Sequence, residues 1–340
     1  MKEILRQYGI TAGDISLQPL GSGLINHTWL VSTGEKKMVL QQINQQVFRK
    51  PEAIAYNIRL LAGYLQQMQP GYLFPAPVTT LTGEEMLLQD GRYYRLFPFV
   101  EGSHTIDVVS TPGQAYEAAR QFGKFTHLLH GFDATRLQIT LPDFHNLPLR
   151  YEQFKTSLRK ADPQRMRIAG EEIAFLKSQY PIVDEYLARM KSFPVRVIHH
   201  DTKISNVLFD EQDKGLCVID LDTIMPGFFI SDVGDMMRTC LCPVSEEEAD
   251  ATQINIRPDY YHAIVKGYGS EMNDVLTDEE KNSFLFAGKF MIYMQALRFL
   301  TDYLNNDIYY GSRYEGQNHV RARNQSVLLQ RLTDFGQTQL

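Results

Sequence analysis

Two short apolar runs, Val195-Arg-Val-Ile198 and Leu216-Cys-Val-Ile219, each deliver a carboxylate, and this pairing constrains the chain more than any other feature. The first continues into His199-His200-Asp201-Thr-Lys203-Ile-Ser-Asn206-Val-Leu-Phe209, the second into Asp220-Leu-Asp222. Apolar runs of that length, rich in β-branched residues, read as buried strands. The separation of the two aspartates matches what a hairpin needs to bring both to one edge.

Phosphoryl transfer needs such a set. A carboxylate must accept or orient the proton of the nucleophile, and oxygen ligands must hold magnesium against the phosphates. Lys203, two residues after Asp201, can reach a transferring phosphate as a point charge. The alternative reading is a buried aspartate capping a turn beside an ordinary hairpin.

The sequence changes character near residue 100, so a lobe is expected over residues 1–100 and a second over 101–340. Before the change, Ile15 to Pro19, Thr28 to Ser32 and Lys37 to Ile43 read as strands, with Thr33-Gly-Glu-Lys36 as a turn. Glu85–Leu88 and Tyr93–Phe97 read as another pair around Gln89-Asp-Gly91. Between them, Ile54, Ile58, Leu61, Leu65 and Met68 form one apolar stripe, predicting a helix from Pro51 to about Met68 that packs on the sheet. After residue 100 the periodicity predicts helices over 112–130, 171–191 and 282–304, with Gly123 and neighbouring alanines allowing close helix approach. The fold class expected is α+β, a small antiparallel-sheet lobe followed by a larger, mainly helical one.

With 44% hydrophobic and 22% charged residues and a formal net charge of -6, the chain has the balance of a globular protein. No basic stripe stands out, so no nucleic-acid partner is expected. No run is long and apolar enough for a bilayer, and the N-terminus lacks the apolar core of a secretory signal, so no membrane is expected either. Cys217, Cys240 and Cys242 do not make a zinc pattern and fit a reducing, cytoplasmic compartment.

Further candidates for a phosphate site lie in the first lobe. Gly21-Ser22-Gly23-Leu24-Ile-Asn26 falls between two strands, where glycines permit close backbone approach to phosphates, though a plain hairpin turn reads the same way. Phe97 and Phe99, in Tyr93-Tyr-Arg-Leu-Phe97-Pro98-Phe99, are placed to wall a purine; an edge strand ended by proline explains the run equally well.

The 199–222 segment resembles the catalytic loop of the protein-kinase superfamily, and more closely its aminoglycoside phosphotransferase and choline kinase branch. The resemblance implies a bilobal protein-kinase-like fold with ATP and Mg²⁺ as cofactors. It makes Asp201 the catalytic base, Asn206 and Asp220 the magnesium ligands, and Asp232 the residue that braces the loop. Asp222 becomes an additional or outer ligand. One position departs from the pattern: where kinases carry a strand lysine, Met38-Val-Leu-Gln41 puts glutamine. Either another cation substitutes, with Lys36, Lys37, Arg49 and Lys50 nearby, or the chain is a degenerate kinase serving as a nucleotide-binding scaffold. Glu52 would be the acidic partner of such a cation.

Over most of its length the chain is similar to bacterial N-acetylhexosamine 1-kinases. The likeness includes Val39-Leu-Gln-Gln-Ile-Asn44, His200-Asp-Thr-Lys-Ile-x-Asn-Val-Leu-Phe-Asp210, Asp232-x-Gly-Asp-x-x-Arg-Thr239 and Arg298-Phe-Leu-Thr-Asp-Tyr-Leu-Asn-Asn-Asp-Ile-Tyr309. Gln41 also looks like this subgroup. The resemblance implies that a small-molecule sugar is the substrate, contacted by Asp201, Arg298 and Tyr309, with the anomeric hydroxyl as nucleophile. Read from the residues alone, Arg298 and Asp302 could instead form a helix-surface pair and Tyr309 could be core packing. Leu24 stands where the subgroup often has histidine, so the acceptor could equally be another sugar, an amino alcohol or an aminoglycoside.

Overall fold

The computed structural model describes residues 1–11, 15–21, 25–34 and 36–338. A short helix, α1 (Lys2–Gln7), precedes three strands, β1 (Ile15–Pro19), β2 (His27–Thr33) and β3 (Lys36–Gln42). Helix α2 (Pro51–Met68) follows, then β4 (Leu87–Gln89) and β5 (Arg92–Pro98). The five strands form one antiparallel sheet in the order β1-β2-β3-β5-β4. The β4–β5 hairpin starts two residues later than the sequence predicts and turns at Asp90-Gly91, both with positive φ.

One sheet face carries Val31, Leu40, Tyr94 and Leu96, which close over Ile4, Leu5 and Tyr8 of α1. Since side chains alternate along a strand, Gln41 and Arg95 occupy the opposite face. Helix α2 does not pack on this sheet as its stripe suggested. Ile54, Ile58, Leu61 and Leu65 join the larger core with Phe125, Leu129 and Phe132. Asn57 anchors it there, donating to the carbonyls of Gln138 (2.8 Å) and Ile224 (3.0 Å). An amphipathic pattern specifies that one face is buried, not which surface receives it.

The remaining chain is mostly helical. Helix α3 (Pro112–Leu128) is capped by the Thr111 hydroxyl, which accepts from Gln114 N–H. After it come α4 (Leu147–Leu158), α5 (Pro163–Ile168), α6 (Gly170–Ser178) and α7 (Pro181–Arg189). The single helix predicted over 171–191 is thus two, broken at Pro181, whose ring excludes a continuing helical hydrogen bond. Short strands β6 (Arg196–Ile198), β7 (Val207–Phe209), β8 (Gly215–Val218) and β9 (Met225–Gly227) lead into α8 (Phe229–Cys240). Helices α9 (Pro258–Met272), α10 (Asp278–Lys281), α11 (Phe284–Leu304) and α12 (Gln317–Thr338) complete the lobe.

The two runs that were expected to form one hairpin do not pair with each other. β6 pairs with β9, and β8 pairs with β7. The expected close helix approach occurs between α3 and α9, where a Cβ on Gly123 would lie 2.9 Å from the Tyr268 carbonyl oxygen. Helix α11 is apolar nearly all round and runs through the core against α8 and α12. Among the described residues no helix is long and apolar enough to cross a membrane, and Cys217, Cys240 and Cys242 are free thiols.

Candidate active site

Strand β6 delivers the chain into the 199–206 loop, which α8 pins from below. Asp232, wholly buried in the first turn of α8, accepts the backbone N–H of His199 (3.0 Å) and of His200 (2.7 Å). Burial pushes its carboxyl up to about 6 even so. One turn further, Asp235 accepts Thr202 N–H (3.0 Å) and is held by Arg238 (2.8 Å). Thr202 Oγ1 also donates to the Asp232 carbonyl (2.6 Å). The loop needs this grip because His200 has φ +68°, a left-handed conformation that costs a non-glycine residue about 1–3 kcal/mol.

Asp201 emerges from that loop with a quarter of its side chain exposed. Its Oδ2 lies 3.1 Å from Lys203 Nζ and accepts from Asn206 Nδ2 (3.0 Å), which also donates to the Asp201 carbonyl (2.8 Å). Burial opposes the Lys203 charge, but Asp201 and Asp220 outweigh it and raise its pKa.

The second carboxylate segment is stitched to the first by the β7–β8 pairing and by bonds beyond it. His199 Nε2 contacts the Ile219 carbonyl (2.8 Å), Ile219 N–H donates to the Asn206 carbonyl (2.8 Å), and Thr223 Oγ1 donates to the His199 carbonyl (2.6 Å). Asp220 then takes a left-handed conformation, φ +59°. Burial, followed by the charges of Asp222 and Asp201, pushes its carboxyl up to about 7. The charges of Lys203 and Arg95 oppose that rise without cancelling it. Asp220 with the Asn206 amide fits a hard cation that takes one or two protein oxygens and completes its shell with phosphate and water. Among the described residues no three His, Cys, Asp or Glu side chains form a self-sufficient metal cage.

Above the loop, the cleft-facing side of the sheet carries a row across three strands. Gln41 Nε2 donates to Thr28 Oγ1 (3.2 Å), and Gln41 Oε1 accepts from Arg95 Nε (3.1 Å) and Nη2 (2.8 Å). Arg95 Nη2 also lies 2.5 Å from Asp222 Oδ1, both side chains being 1% exposed. Asn26 Nδ2 donates to Asp222 Oδ2 (2.8 Å). Asp222 is therefore engaged by the sheet lobe. Sequence reasoning missed Arg95; the available signal was a charge inside an alternating apolar strand.

The cations named from the sequence do not fill the lysine position. Lys36, Arg49 and Lys50 are exposed, and Lys37 pairs with Glu101 (3.6 Å) over the Phe99 ring. Glu52 partners no such cation; it accepts the Tyr93 hydroxyl at the surface. Phe97 and Phe99 are half-buried at the lobe junction, and Arg95 lies over the Phe97 ring at 4.9 Å. Gly21 is exposed with φ +78°, whereas Ser22, Gly23 and Leu24 lie outside the described residues.

Arg298 and Tyr309 do come together, with Arg298 Nη2 3.4 Å from the Tyr309 hydroxyl. They line a cleft of about 540 Å³ with Arg150, Lys160 and Tyr310. Asp201 is not on its wall; the link runs through Phe144, under Arg298, and His145, 5.4 Å from the His200 ring. The alternative pairing of Arg298 with Asp302 does not form. Asp302 instead accepts Tyr309 N–H (2.7 Å) and Tyr310 N–H (2.9 Å). Tyr309 is 73% exposed, so it is not core packing.

A carboxylate held by lysine and asparagine, on a loop braced from a following helix and facing a second carboxylate, is the arrangement of phosphotransferases. The model of the phosphotransferase enzyme family matches residues 16–270, and the chain belongs to that family. Solved structures agree in fold. An aminopropanol kinase associated with a microcompartment is 16% identical with a TM-score of 0.66, the match covering 99% of this chain and 97% of that one. Spectinomycin phosphotransferase in complex with ADP and spectinomycin is 13% identical, TM-score 0.60, over 99% and 97%. Choline kinase from Cryptosporidium parvum Iowa II is 15% identical, TM-score 0.60, over 98% and 96%. The architecture is the bilobal protein-kinase-like α+β fold.

Proposed function

We propose that the chain transfers the γ-phosphoryl group of ATP to a hydroxyl of a small molecule, and that this molecule is an N-acetylhexosamine attacked at its anomeric oxygen. The observation that carries the phosphotransfer is Asp201, accessible, fixed in orientation by Asn206 and 3.1 Å from Lys203. Asp201 aligns the acceptor hydroxyl and takes its proton as the new oxygen–phosphorus bond forms. The bond from the γ-phosphorus to the bridging oxygen breaks, and ADP leaves. Lys203 steadies the transferring group electrostatically. Magnesium held by Asn206 and Asp220 would neutralise phosphate charge. The nucleotide lies between the 1–100 and 101–340 lobes in this reading, with Phe97 and Phe99 beside the purine and Gly21, Ser22 and Gly23 over the phosphates.

The sugar acceptor is supported by the likeness of the motifs to N-acetylhexosamine 1-kinases and by charge. The cleft at Arg298 and Tyr309 carries Arg150, Arg298 and Lys160 against Glu152 and Asp302, with Glu152 paired to Lys155 (2.7 Å) and Asp302 accepting backbone N–H groups. The cationic side chains outnumber the acidic ones, and a neutral polyol finds donors there. A second reading, phosphorylation of an amino alcohol or aminoglycoside, is favoured by the solved relatives.

The test is ADP release from ATP and Mg²⁺ with N-acetylglucosamine, N-acetylgalactosamine, galactose, glucose, choline and kanamycin, using Asp201→Asn as control. Turnover on the N-acetylhexosamines, lost in the variant, is the expected result. Turnover on choline or kanamycin alone would replace the sugar by the second reading. Undiminished turnover in Asp201→Asn would refute the mechanism.

A further inference from the structure

We propose that Arg95 supplies the phosphate-binding charge missing from position 41, with Asp222 acting as the carboxylate that aims it. The proposal rests on the nucleotide reading of the cleft and extends it to a residue on a different strand.

The register makes the substitution possible. Gln41 and Arg95 are directly opposed across the β3–β5 pair, so their side chains leave the sheet side by side on the cleft face. A charge moved from one to the other shifts by one strand spacing, about 5 Å. Arginine is long enough to recover that distance.

Arg95 is also built as a held group rather than a free one. Its Nε and Nη2 edge grips Gln41 Oε1, which fixes the plane of the guanidinium. Glutamine thereby serves as the mount for the charge. Nη2 also lies 2.5 Å from Asp222 Oδ1, a charge contact that draws the guanidinium toward the segment carrying Asp220 and Asp222. Nη1 is buried and has no hydrogen-bond partner, and Asp222 Oδ1 likewise accepts no hydrogen bond. A buried guanidinium nitrogen without an acceptor is costly, and a phosphate oxygen in the cleft would satisfy it. Arg95 is close enough to Asp220 for its charge to oppose the raised pKa there.

The alternative is that Arg95 and Asp222 only clamp the lobes together. The two roles separate by what each ligand carries. ADP and adenosine share the purine and ribose, but only ADP has phosphates for Arg95 to hold.

The experiment is calorimetric binding of Mg·ADP and of adenosine to the full chain and three variants. Arg95→Lys keeps a charge. Arg95→Gln with Asp222→Asn removes the charge without leaving an unpaired buried carboxylate. Adding Gln41→Lys to that pair restores a charge at the strand-lysine position. The double variant should bind ADP about tenfold more weakly or worse, with adenosine affinity unchanged, and the triple variant should regain ADP affinity. Wild-type ADP affinity in the double variant would overturn the assignment. So would an equal loss of ADP and adenosine that Arg95→Lys does not share, since that marks a clamp. If the wild-type chain binds neither ligand, the nucleotide reading itself falls, and this inference with it.

Discussion

Replacing Asp232 tests how the catalytic loop is held. Asp232 is fully buried; its carboxylate accepts two backbone N–H groups, at 3.0 and 2.7 Å, from the residues leading into the strained His200 conformation. Asp232→Ala orphans both donors in a fully buried place, and each orphaned N–H costs about 1–3 kcal/mol. A small cavity adds to that, so a loss of about 3–5 kcal/mol is expected. Asp232→Asn retains one acceptor and turns an amino group toward the other N–H. It also removes a charge that burial opposes, so its loss should be only about 1–2 kcal/mol. Because the chain leads directly from His200 to Asp201, released strain should misplace the base and lower turnover about 100-fold in Asp232→Asn. The KM for ATP should change little. Thermal and urea unfolding give the stabilities, and ADP release with the acceptor found active gives the rates. If both variants match wild type in stability and turnover, the bracing argument is wrong.

Two further perturbations probe the groups around the site. Burial pushes His200 down to about 3, with the His199 charge adding to it, so the unfolded chain takes up that proton first. Its contribution to stability is full above pH 6.5 and is lost as the pH falls toward 3, by up to about 1.4 kcal/mol per unit. Asn tolerates the left-handed backbone, so stability of His200→Asn relative to wild type should be level above about pH 7 and improve as the pH falls from about 6.5 to 5; a pH-independent difference would contradict this. Arg196 pairs with Glu280 at 2.7 Å, both buried, and Glu280 also accepts the Thr277 N–H that opens α10. Arg196→Met should cost about 3–5 kcal/mol by leaving a buried carboxylate unpaired. Adding Glu280→Gln should recover part of it, and an unaltered melting temperature in the single variant would refute the account.

Much of the fold was legible because local periodicity reports burial. Helix α2 was predicted from Pro51 to Met68, where it is found, and β1 from Ile15 to Pro19 likewise. Helix α11 was legible from its apolar density, with an error of two residues at its start. The helix predicted over 171–191 failed because an amphipathic pattern continues through Pro181 although the backbone hydrogen bonds do not. In the candidate site, the clustering of Asp201, Lys203, Asn206 and Asp220 was legible because they lie within one short stretch.

The sequence by itself determined the order of sheet-rich and helical parts, the stretch proposed as catalytic and the absence of the strand lysine. Only the tertiary structure decided what meets what. It paired β6 with β9 rather than β8, and it turned α2 away from the sheet onto the helical core. It also set Arg95 against Gln41, 54 residues earlier, and against Asp222 in the other lobe. Periodicity is a property of neighbours along the chain. Strand register, helix docking and buried charge pairing are contacts between distant segments, and their partners are selected by the packing of the whole.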